Sequence, residues 1–208
     1  MLLTTVGFGI LLWTRLQPDL CLQRTGVITV GEIVRLQVGQ KDLVGECRPD
    51  GSLAPRFTWQ AVPAERRIPW QSSGPTVDVQ ADGSLRGVAP GTYAVVGRHA
   101  HGTEKEEGIV LPAGWTMRLL PEDQTIAVGE SVRYRVLVLG PGQEPLPQVP
   151  FSVVPAPEQD LLRMSGLEVD DWVEYTAVAH GRTTVTGHVG RHSVATSLTV
   201  AGTAAEDP

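Results

Sequence analysis

The residues best suited to chemistry in this 208-residue chain are few and scattered. His99 and His101 lie two apart, which on a strand turns both to one side and offers two ligands to a metal. Spacing sets no third ligand, and a strand end with its following turn is the simpler reading. His188 and His192 read as exposed strand or turn residues. Glu168, Asp170 and Asp171 gather carboxylates, but their spacing fits no calcium loop, and a solvated acidic turn accounts for them. The chain holds no Gly-x-Ser-x-Gly elbow and no Gly-x-x-x-x-Gly-Lys loop. Neither an activated serine nor a phosphate cradle is therefore in view. No catalytic residue, metal or cofactor is assigned, and the chain is expected not to be an enzyme.

Cys21 and Cys47 are the only thiols. A bridge between them would close a loop of about 27 residues and contribute roughly 3 to 4 kcal/mol through chain entropy. Two buried thiols acting as small apolar side chains is the equal alternative. Without a Cys-x-x-Cys pair, a thiolate zinc site is excluded. The net charge of −6 has no compensating basic block, which speaks against nucleic acid as a partner. Glu65-Arg66-Arg67 sets an acid beside its two bases and reads as a solvated loop. Among the five tryptophans, Trp172, beside Asp170 and Asp171, is the one selected as an exposed contact. Trp13 and Trp115 stand at equivalent places in a repeat and are assigned to packing.

The elements that must position these residues are strands. Gly (23) and Pro (16) are plentiful, which suits turns and disfavours long helices. Val30-Gly31-Glu32 recurs as Val128-Gly129-Glu130. Each is followed by a strand of period two, Ile33 to Val38 and Ser131 to Val136, with Arg at its third place. Trp59-Gln60-Ala61-Val62-Pro63 matches Phe151-Ser152-Val153-Val154-Pro155. Val88-Ala89-Pro90-Gly91 matches Val178-Ala179-His180-Gly181, and a strand follows each glycine. Asp82-Gly83 between alternating runs predicts a tight primed hairpin turn. Pro90-Gly91 marks another turn.

The repeat divides the chain into units at 13–112 and 113–202, with a polar tail at 203–208. Trp59 is favoured over Trp70 as the core tryptophan of the first unit. Leu161 to Met164, after an acidic first turn at 158–160, is the best short helix. Residues 1–12 are apolar and uncharged, and too short to span a bilayer as a helix. They read either as a signal-like segment or, by likeness of Gly9–Pro18 to Gly108–Pro121, as an apolar strand. The fold class expected is all-β, two tandem immunoglobulin-like β-sandwiches.

Residues 70–96, WQSSGPTVDVQADGSLRGVAPGTYAVV, carry a resemblance. With the Val30-Gly31-Glu32 motif, they resemble the bacterial immunoglobulin-like domain, group 2. The second unit lacks the Trp-x-Ser-Ser turn and has Val173-Glu174 in the place given to Asp82-Gly83, so it resembles the family mainly through the first. The resemblance implies a non-enzymatic structural or adhesive module, extracellular or at the cell surface, with protein partners. Two alternatives are a phage virion structural or decoration protein, and a glycan-binding module using exposed tryptophan. Oligomeric state is not set by the sequence.

Overall fold

The computed structural model describes residues 20–23, 26–41, 44, 46–50, 56–100, 102–157, 160–165 and 171–202. It is all-β and divides into two compact units, Met1–Arg67 with Gln71–Val110, and Ile68–Trp70 with Leu111–Pro208. The short piece Ile68–Trp70 thus leaves the contiguous 13–112 division. In the second unit the Trp70 indole N–H donates to the Pro147 carbonyl at 3.0 Å. Trp70 is half-buried there, and Trp59 alone of the two belongs to the core of the first unit. A boundary read from chain order has no access to that bond.

The second unit shows the architecture plainly. Its strands are β11 (Thr116–Leu120), β12 (Gln124–Ala127), β13 (Ser131–Leu139), β14 (Ser152–Pro155), β15 (Leu162–Met164), β16 (Val173–Ala177), β17 (Gly181–Val189) and β18 (His192–Ala201). One sheet runs β11-β13-β16-β15 and the other β12-β18-β17-β14. Among the described residues these strand pairs are antiparallel except β12 with β18, which is parallel. A first strand split between two facing sheets is the immunoglobulin-like arrangement. Alternation drives the layering: Val132, Tyr134, Val136 and Val138 of β13 are buried, whereas Arg133 faces out.

The first unit repeats this order. Its strands are β1 (Leu20–Gln23), β2 (Val27–Thr29), β3 (Ile33–Arg35), β4 (Gln37–Lys41), β5 (Cys47–Pro49), β6 (Thr58–Val62), β7 (Val77–Val79), β8 (Ser84–Gly87), β9 (Gly91–His99) and β10 (Gly102–Leu111). One layer is β2-β10-β9-β6, and the other is broken into β1-β4-β5 and β3-β8-β7. The break falls at Leu36, whose amide leaves the ladder and donates to the Gly83 carbonyl at 2.9 Å. Ile28, Leu36, Val38, Phe57, Trp59, Leu85, Tyr93 and Val95 are among the residues that fill the space between layers.

The Val-Gly-Glu repeat is a backbone device. Gly31 and Gly129 have φ of 86° and 91°, a region that costs any other residue roughly 1–2 kcal/mol. The next residue's carboxylate then closes the turn. Glu32 Oε2 accepts from the Thr29 amide at 3.0 Å, and Glu130 Oε2 from the Ala127 amide at 2.8 Å. Each turn is pinned across the sheet as well, Gly31 N–H to Gly87 O and Gly129 N–H to Ala177 O. The motif therefore fixes strand entry in both units and leaves no carboxylate oriented for chemistry.

Two local expectations are corrected. Leu162 to Met164 is strand β15, not helix, with Leu162 facing Ala177 and Met164 facing Tyr175. A few residues cannot nucleate a helix against a ladder that satisfies the same backbone groups. The Asp82-Gly83 turn is not of the primed type, because φ is positive at Gly83 and not at Asp82. The Gly83 amide donates to Gln80 O at 3.0 Å, and Asp82 Oδ1 accepts from the Ser84 amide at 2.9 Å. An ordinary turn followed by a left-handed glycine joins β7 to β8.

Candidate functional site

Strand β1 pairs with β4, and β4 with β5, so Cys21 and Cys47 lie on strands separated by a third. A disulfide nevertheless joins them, with Cα atoms 5.8 Å apart, well under the ~9.6 Å of two strand spacings. The three-stranded ribbon must therefore fold over β4. Gly39 permits it: a Cβ there would stand 2.1 Å from the Arg48 carbonyl oxygen. Cys21 itself is buried at 4% exposure. In the second unit the ladder positions matching Cys21 and Cys47 are Arg118, opposite Leu137, and Pro145, bridged to Leu139. That unit carries no covalent staple.

Trp172 is half-buried at the start of β16, beside Asp171, which adopts φ 62°. The Arg135 guanidinium lies 5.3 Å from the Trp172 ring centroid, a cation–π contact between residues too far apart in the chain for any local spacing to link. Beside it, Arg133 Nε donates to Glu174 Oε2 at 2.6 Å and holds that carboxyl below its ordinary value. Asp170 and Glu168 lie outside the described residues, as do His101, Trp13, residues 1–12 and the tail.

His188 and His192 flank the β17–β18 turn, His188 opposite Ser193 and His192 opposite Val189. His99 packs against Phe57 at 4.7 Å, and His192 meets the Trp115 ring edge-on at 5.0 Å. Among the described residues, no group of three or more His, Cys, Asp or Glu is placed to hold a metal ion, and no helix is long and apolar enough to cross a membrane. A shallow depression in the second unit is lined by Val128, Val178, Ala179, His180 and Gly202. These groups present surfaces, not a converging set of reactive side chains.

No protein-family model matches the chain, and no curated protein does. Among solved structures it is similar to domains 4 and 5 of the S-layer protein SbsC, at 17% identity and a TM-score of 0.35, over 88% of this chain and 97% of that one. It is similar to the Escherichia coli adhesin FdeC at 14% and 0.36, over 88% of this chain and 63% of the other. For the Yersinia pseudotuberculosis adhesin InvE the figures are 12% and 0.38, over 88% and 58%. At these identities and TM-scores the likenesses carry no argument about this chain.

Ladder register also revises the residue matches. Trp59 faces Gly97 and Val153 faces Gly187 at the corresponding place of the next strand. Val153, not Phe151, thus takes the place of Trp59. A slip of two residues keeps the same side of the sheet, which is why the sequence match looked sound. Gly97 is needed because a Cβ would stand 2.6 Å from the Trp59 ring. Trp172 likewise has a counterpart: Arg35 faces Ser84 and Arg133 faces Glu174, so Trp172 occupies the place of Asp82. Val173, not Glu174, then matches Gly83. Gly91 and Gly181, with φ of 145° and 150°, open β9 and β17 alike, and Pro90 precedes the first of them.

Proposed function

We propose that the chain is a non-catalytic structural or adhesive module that works outside the cytoplasm, at a cell surface or in an extracellular assembly, and that it is a tandem pair of bacterial immunoglobulin-like group 2 domains. The observation that carries this reading is the Cys21–Cys47 disulfide built into the first of two sandwiches of the same topology. Disulfides of this kind persist in oxidising compartments and are rare in the cytosol of mesophiles. Sandwiches with turns fixed by their own backbone supply ordered surface, which suits presenting a contact. The glycan alternative draws less support, because the Trp172 ring already carries Arg135.

The test is to trap thiols with an alkylating reagent in intact producing cells, then digest the cell exterior with protease. A surface module is expected to be cleaved from outside and to carry no alkyl group on Cys21 or Cys47. Recovery of alkylated cysteines from a protease-protected chain would overturn the reading. Recovery within purified phage particles would favour the virion alternative.

A further inference from the structure

We infer that Cys47 is a thiol-capture site: the Cys21–Cys47 bond exchanges with a low-molecular-weight thiol through its Cys47 sulfur, and Cys21 is the leaving group. The chemistry needs only a folded first unit and holds wherever the chain resides. It rests on the unlike surroundings of the two ends of one bond.

Cys21 is 4% exposed, and register shows what lies over it. Cys21 pairs with Gly39, and paired residues on neighbouring strands turn their side chains to the same side of a sheet. The direction in which Gly39 would project a Cβ runs into the Arg48 carbonyl oxygen. The backbone of β5 therefore lies on the side of the ribbon to which Cys21 points, and covers it. Cys47 belongs to that covering strand. It is half-buried, and Arg48 and Pro49 after it are exposed. Its ladder partner is the exposed Lys41, which sets a cation on the side of the strand that bears the Cys47 sulfur and favours an anionic thiolate there. Glu46 and Arg48, which alternation turns the other way, carry opposite charges.

The exchange conserves atoms and charge. A thiolate attacks Cys47 Sγ and forms a new S–S bond, and the Cys21–Cys47 bond breaks with its electron pair on Cys21 Sγ. Cys21 then takes a proton from water and stays in place as a small apolar side chain. The incoming sulfur is oxidised and Cys21 is reduced, so no further oxidant is required. Two effects compete over which sulfur is attacked. Burial disfavours an anion at Cys21, which by itself favours Cys47 as the leaving group. That preference only scales a rate, whereas attack at Cys21 first requires β5 to be lifted away. Access decides the direction, and the poor leaving group makes the exchange slow. The second unit has Arg118 and Pro145 in the matching places, so each chain captures one thiol.

The test incubates the intact chain with reduced glutathione near pH 8, close to the thiol's own titration, quenches with acid and maps the peptides by mass spectrometry. The expected early product is one glutathione per chain, on Cys47, with Cys21 as a free thiol. An adduct on Cys21, or on neither residue, would overturn the inference. Single variants give a second reading with glutathione disulfide. The thiol of Cys21→Ala is expected to react at least about tenfold faster than that of Cys47→Ala in the folded chains, and at a similar rate in urea. Equal rates in the folded variants, or a difference that persists in urea, would count against it. The map of the parent chain decides alone where a variant loses its fold.

Discussion

Tyr175 and Tyr134 are both buried in the second sandwich, yet among the described residues only the Tyr175 hydroxyl has an acceptor, the Val153 carbonyl at 2.6 Å. The pair separates what a buried hydroxyl contributes from what it costs. Tyr175→Phe leaves a buried carbonyl without its donor, and is expected to lower unfolding free energy by about 1–2 kcal/mol. Tyr134→Phe removes a polar atom that has no partner, and is expected to be neutral or mildly stabilising. Urea denaturation of the two variants reads the difference, and equal losses would contradict it. Gly129 isolates a second residue-scale effect. A Cβ there meets nothing within 4 Å, so Gly129→Ala is expected to cost about 1 kcal/mol through its φ alone. This much was legible beforehand: Val-Gly-Glu stood out as a repeat because a left-handed glycine followed by a turn-closing carboxylate has few substitutes. The Arg135–Trp172 contact was not, since it joins residues brought together only by the β13–β16 ladder.

At the scale of elements, the first unit's β1-β4-β5 ribbon depends on two features the second unit lacks. One is the disulfide; the other is Gly39, without which Arg48 and β4 could not approach so closely. Reduction is expected to destabilise the first unit by roughly 3 kcal/mol. The second unit, with Arg118 and Pro145 in the matching places, is expected to be unmoved. Calorimetry with and without reductant, read alongside Cys21→Ala/Cys47→Ala, should show one transition falling and the other fixed. Strand alternation had made the element order readable, because a buried face imposes period two on β13 or β17 whatever the loops do. Register was readable only to within two residues. A two-residue slip exchanges Phe151 for Val153 without turning any side chain to the wrong layer. The misread helix at Leu161–Met164 has a different origin: four residues carry too little pattern to tell a short edge strand from one helical turn.

For the whole molecule, tyrosine supplies a probe that reports each sandwich separately. All three tyrosines are buried, Tyr93 in the first unit and Tyr134 and Tyr175 in the second. Burial pushes Tyr134 up to about 12. It raises Tyr175 in the same direction, and Tyr93 further still, where Glu106 and Glu32 add their negative charge. As pH rises above 10 an unfolded chain releases these protons, and the folded chain releases them later. The stabilisation is therefore complete below pH 10 and is lost as pH rises toward the folded values, on the order of 2 kcal/mol for Tyr134. Tyrosinate absorbance at alkaline pH is expected to be nearly absent while the fold persists, then to appear cooperatively with unfolding. One third of the amplitude belongs to the first unit and two thirds to the second. Reducing the disulfide should move the one-third step to lower pH and leave the larger step in place. A gradual rise centred near pH 10 in the folded chain would mean that these hydroxyls meet solvent, and that the paired cores are not closed as the strand order requires.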